Sequence, residues 1–69
     1  MDTVKISLNG NIKDVREGTT VHKLLKESGV DELKIVVQVS GQILRRNKFS
    51  QQILKDGDIV ELISFVGGG

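Results

Sequence analysis

The sequence predicts an α+β fold in which one helix packs on a mixed sheet of four to five strands. Three observations carry that prediction. The chain opens on two short strand patterns joined by Asn9-Gly10, it contains one clear amphipathic helix, and it closes on a continuous β-prone run from Ile59 to Phe65. A single helix and a sheet can bury their apolar surfaces only against each other, which makes two layers the economical solution.

Thr3-Val4-Lys5-Ile6-Ser7-Leu8 alternates polar and apolar residues, placing Val4, Ile6 and Leu8 on one face of a strand. Asn9-Gly10 is a strong hairpin signal because both residues accept the positive φ that the tight turn demands. The returning strand, Asn11 to Arg16, has Ile12 and Val15 as its apolar members. Their spacing departs from strict alternation and predicts an edge strand or a bulge. Glu17-Gly18 closes the hairpin.

Thr20 has the side chain of a helix N-cap, and Val21, Leu24 and Leu25 form the apolar stripe that follows it. Lys23, Lys26 and Glu27 take the wet side. Gly29 suits the left-handed residue that ends a helix, with Val30 folding back on Leu25. After a polar connection from Asp31 to Lys34, Ile35-Val36-Val37-Gln38-Val39-Ser40 is strongly β-prone, with Ile35, Val37 and Val39 facing one way. Ser40-Gly41 turns the chain into a short strand around Ile43-Leu44. No periodicity survives from Arg45 to Lys55, where Ile53 and Leu54 are expected to plug the core from a loop or a single helical turn. Asp56-Gly57-Asp58 is a turn before the last strand. If that strand lies beside the first it must run parallel to it at the centre of the sheet, and the arrangement is then a β-grasp.

Composition excludes several function classes. At 69 residues the chain is one domain near the lower size limit, and 38% hydrophobic residues must supply its core. It has no cysteine, so it offers neither a disulfide nor a thiolate for metal or nucleophilic chemistry. Ten Lys and Arg against nine Asp and Glu leave a net charge of +1, and aromatics make up 3%, which argues against nucleic acid and anionic membranes as partners. No run is long enough to span a bilayer and no signal peptide pattern opens the chain, so a cytoplasmic location is expected. His22 is the one histidine and lacks partners for a zinc site or a triad, which leaves it a surface residue. Asp56 and Asp58 are accounted for by their turn. The chain is expected not to be an enzyme.

The remaining candidate chemistry is the ending Ser64-Phe65-Val66-Gly67-Gly68-Gly69. Three extended glycines reach roughly 10 Å beyond the last strand residue. Without side chains they can thread a narrow channel, delivering the Gly69 carboxylate with Gly67 and Gly68 as the thread. A frayed terminus or an expression scar is the alternative account of such an ending. The expected organisation is a domain over 1–66 and a flexible tail over 67–69. If Val60, Leu62 and Ser64 face the helix, then Ile59, Glu61, Ile63 and Phe65 face the open side of the sheet. Ile63 and Phe65, with the adjacent Val66, then form a partner-docking surface; with the strand reversed they are core. Arg45-Arg46-Asn47-Lys48 is a basic cluster, read either as a solvated loop or as a docking contact for an acidic surface, with Arg45 and Arg46 the docking residues.

Taken together, these residues resemble the thiamin-pathway sulfur carrier proteins, the ThiS family of the ubiquitin-like β-grasp superfamily. The resemblance covers the whole chain. It rests on Leu8-Asn9-Gly10, Thr20-Val21 before Leu24-Leu25, Val36-Val37 with Val39, Leu54-Lys55-Asp56-Gly57-Asp58, Val60-Glu61-Leu62 and Phe65-Val66-Gly67-Gly68-Gly69. Ser40-Gly41-Gln42 stands where the family often has Asn-Gly-Glu, and Leu44-Arg45 where it often has Pro-Arg. The resemblance implies a carrier, monomeric when free, that binds no cofactor tightly. A ubiquitin-activating-type adenylating enzyme would use ATP to adenylate Gly69, a persulfide donor protein would supply sulfur for a thiocarboxylate, and thiazole synthase would receive it. The small subunit of molybdopterin synthase (MoaD) and ubiquitin-like protein modifiers are the alternatives with a similar tail.

Overall fold

The computed structural model describes residues 2–65. Five strands and one helix follow in the order β1 (Thr3–Leu8), β2 (Asn11–Arg16), α1 (Val21–Glu27), β3 (Ile35–Val39), β4 (Gln42–Leu44) and β5 (Ile59–Ser64). They form one sheet in the order β2-β1-β5-β3-β4. β1 and β5 are parallel and all other neighbours antiparallel, so the last strand is central, as the β-grasp expectation requires.

Local chemistry sets the turns and caps. Asn9 and Gly10 both have positive φ, 50° and 84°, as a two-residue hairpin needs. β2 is the outer strand of its edge, and its register with β1 runs without interruption from Leu8↔Asn11 to Thr3↔Arg16. The irregular spacing of Ile12 and Val15 therefore reflects an edge and not a bulge: Val15 is buried opposite Val4, whereas Ile12 is 71% exposed on the helix-free face. Helix α1 begins with the Thr20 hydroxyl accepting the Lys23 N–H at 3.2 Å. It ends in a Schellman arrangement, with Val30 N–H donating to the Leu25 carbonyl and Gly29 N–H to that of Lys26.

The core lies between the helix and one face of the sheet. Ile6, Val15, Val21, Leu24, Leu25, Ile35, Val37, Phe49, Leu54 and Val60 are buried there. Each large apolar side chain so buried contributes about 1.5–3 kcal/mol. The aperiodic segment has its own task. Its Gln52 and Phe49 carbonyls accept the N–H groups of Val21 and His22, which the first turn of α1 cannot satisfy internally. Leu54 N–H donates to Thr19, and Thr20 bridges Ile53.

This corrects the expectation for that segment. Leu54 enters the core but Ile53 does not, being 50% exposed, and the second plug is Phe49. Backbone pairing with Thr20 holds Ile53 on the outside, while the carbonyl contact to His22 draws Phe49 under the helix.

Candidate functional site

β5 is positioned from both sides. On one side it pairs with β3 through five residues, from Val39↔Val60 to Ile35↔Ser64. On the other it pairs with β1 only at Ser7↔Ile59 and Leu8↔Val60, because β1 turns away at Asn9. Asn9 lengthens this shorter ladder with its side chain, whose Oδ1 accepts the Leu62 N–H at 2.8 Å.

The turn before β5 is anchored by its two carboxylates. Asp56 Oδ1 accepts the Lys5 N–H at 2.9 Å, and Asp58 Oδ2 accepts that of Lys55 at 2.8 Å. Ser40, at φ 49°, donates its hydroxyl to Asp58 Oδ1. Serine thus fills the left-handed turn position and ties it to the start of β5. Both aspartates serve backbone and turn geometry, as expected.

Alternation along β5 then sorts its side chains. Val60 is fully buried and Leu62 partly buried on the helix side, whereas Ile59, Ile63 and Phe65 are 52%, 45% and 48% exposed on the other. The two facings left open by the sequence are thereby resolved in favour of the exposed one for Ile63 and Phe65. Across the strands Ile63 lies opposite Val36, and Glu61 and Ile43 both lie opposite Gln38. The helix-free face thus carries Ile43, Ile59, Ile63 and Phe65 around a polar centre of Glu61 and Gln38.

β4 and β5 run the same way, each being antiparallel to β3, so Arg45 and Arg46 emerge at the same end of the sheet as Phe65. One strand separates them, about 10 Å at two strand spacings. Both arginines are exposed. Arg45 is extended, and Arg46 opens a 3-10 helix, Arg46–Lys48, beside Glu32 and Asn47. The apolar pair and the basic pair occupy neighbouring positions at one end of the sheet. Val66, Gly67, Gly68 and Gly69 lie outside the described residues.

His22 is exposed, and its Nδ1 lies 3.1 Å from Glu32 Oε2, linking α1 to the 3-10 helix Glu32–Lys34. Lys5 and Asp14 pair at 2.9 Å between β1 and β2, and the hydrogen bond that Lys5 Nζ donates to Asp14 Oδ1 raises the Lys5 pKa, with the charges of Asp14 and Asp56 adding to it. Among the described residues no group of three His, Cys, Asp or Glu side chains could hold a metal ion, and no helix is long and apolar enough to cross a membrane. What the arrangement can do is present an apolar face, a basic rim and the chain that follows Phe65.

The model of the ThiS family matches residues 6–69. A thiazole synthase of Paramagnetospirillum magneticum is 35% identical over 66 residues, which make up 96% of this chain and 20% of that protein. The chain therefore spans about a fifth of such relatives. The sulfur carrier protein ThiS of Escherichia coli is 29% identical over 66 residues, 96% of this chain and 100% of that one. The crystal structure of a thiamine biosynthesis protein (ThiS) from Geobacter metallireducens superimposes with a TM-score of 0.82 at 33% identity, covering 96% of this chain and 100% of that one.

Proposed function

The chain belongs to the ThiS family, and on that premise we propose that it is a sulfur carrier for thiazole formation in thiamin biosynthesis, working in the cytoplasm through the carboxyl group of Gly69. The observation that carries this reading is the position of Ile63 and Phe65, exposed on a central strand at the point where the chain runs into its glycines. The family match also extends through Gly69 itself.

The chemistry belongs to partners. A carboxylate is a poor electrophile, so a ubiquitin-activating-type enzyme joins Gly69 to AMP from ATP, releasing pyrophosphate. The outer sulfur of a persulfide on the donor protein then displaces AMP to give an acyl disulfide. A partner's thiol cleaves its S–S bond, itself ending in a disulfide and leaving the thiocarboxylate on Gly69. Thiazole synthase takes that sulfur, a partner suggested by the thiazole synthases that contain a region similar to this chain. The carrier itself holds no ATP and catalyses no step. It supplies the face around Ile63 and Phe65 for docking, the arginines Arg45 and Arg46 as a basic rim, and Gly67 and Gly68 as a thread with no side chains to obstruct a channel.

Incubation with the adenylating enzyme, ATP and the sulfur donor should replace one oxygen of Gly69 by sulfur, read as a mass increase that deletion of Gly69 abolishes. Persistence of the mass shift without Gly69 would overturn the assignment. The mass of the protein from its own cells separates this reading from a protein modifier, which would appear as a conjugate.

A further inference from the structure

The backbone of β5 carries an open edge that the docking face does not account for. Ser40 N–H bonds to Ile59 and Phe65 N–H to Lys34, so residues 59, 61, 63 and 65 direct their backbone groups toward β3. Residues 60, 62 and 64 direct theirs toward β1. There the Val60 carbonyl takes the Asn9 N–H, and the Leu62 N–H is taken by the Asn9 side chain. Beyond that point β1 has ended. Among the described residues, the Leu62 carbonyl and the N–H and carbonyl of Ser64 have no hydrogen-bond partner.

The other strand edges are defended in the usual ways. β2 carries Lys13, Asp14 and Arg16, and β4 is only three residues long. At the open edge of β5 stands Ser64, small and uncharged, beside the exposed Ile63 and Phe65.

We infer that this edge, from the Leu62 carbonyl through Ser64, is a strand-addition site that takes an extended segment of thiazole synthase. The inference rests on the carrier reading above and adds a mode of recognition to it. Gly67 to Gly69 offer no side chains, so a partner can read the chain beyond Val66 only through its backbone, and strand addition is the mode that reads backbone. Ser64 presents its N–H and carbonyl in the two-residue phase that an extended chain continues. The edge is also continuous with the apolar face, so one partner surface covers both.

Amide exchange tests this with the full chain and the thiazole synthase of the same organism. In the saturated complex the Ser64 amide should exchange at least about tenfold more slowly than in the free protein, while the Leu62 amide, already bonded to Asn9, serves as the internal reference. Ser64→Pro, which removes the N–H, should weaken binding about tenfold, and Ser64→Ala should leave it unchanged. If Ser64→Pro does not fold, the exchange measurement on the unmodified protein decides. A complex in which Ser64 exchanges as freely as before overturns this inference and leaves the carrier function standing. Protection that instead grows with the protein's own concentration identifies a second copy as the occupant and also overturns it. Failure of any complex to form removes the thiazole synthase assignment and this site together, whereas sulfur loading of Gly69 remains separately measurable.

Discussion

Asn9 Oδ1 accepts the Leu62 N–H at 2.8 Å across 53 positions of sequence, while the Asn9 N–H donates to the Val60 carbonyl at 3.0 Å. One residue thus turns the first hairpin at positive φ and extends the β1–β5 ladder by one bond. The two contributions separate by mutation. Asn9→Gly keeps the turn and loses the side-chain bond, and should lower stability by about 0.5–1.5 kcal/mol. Asn9→Ala loses the same bond and keeps a Cβ at positive φ without the polar side chain that lets asparagine tolerate it, and should lose about 1–2 kcal/mol more than Asn9→Gly. Urea unfolding of the two variants checks the order, and equal losses would contradict it.

Phe65→Ala and Ile63→Ala should leave the melting temperature nearly unchanged, because both side chains are about half exposed on the helix-free face. Each should weaken binding to thiazole synthase or the adenylating enzyme about tenfold, the equivalent of burying part of a large apolar side chain. Calorimetric titration beside thermal melting is the measurement.

Phe49→Ala should behave in the opposite way. Its side chain is 2% exposed beneath α1, so its removal should cost about 3–5 kcal/mol, a large share of the stability of so small a domain. Ile53→Ala, four residues on, should cost far less, since Ile53 is half exposed. Denaturant midpoints for the pair test whether the segment plugs the core through Phe49 and Leu54.

Reversing the basic rim with Arg45→Glu and Arg46→Glu should slow association with an acidic partner surface several-fold and invert its dependence on salt. Exposed interface charges act mainly on encounter rate. Stopped-flow binding at low and high ionic strength checks this. An unchanged association rate would show Arg45 and Arg46 to be a solvated loop.

The sequence by itself determined the elements whose causes are local. Positive φ at Asn9-Gly10, the Thr20 cap, the Leu25–Val30 closure and the alternation of β5 depend on residues a few positions apart, and each can be read from them. The glycine ending and its place after a strand were legible in the same way. Alternation also divided β5 into two faces, but both faces of Ile59–Phe65 are apolar enough to be core. Only packing of Val60 and Leu62 against α1 decided that Ile63 and Phe65 lie outside. The segment from Arg45 to Lys55 showed no period because its shape answers to distant groups, chiefly the unpaired N–H groups of Val21 and His22. The nearness of Arg45 to Phe65 and the open edge at Ser64 likewise exist only once strands far apart in sequence are laid side by side, since strand order and strand length come from long-range pairing and no local signal encodes them.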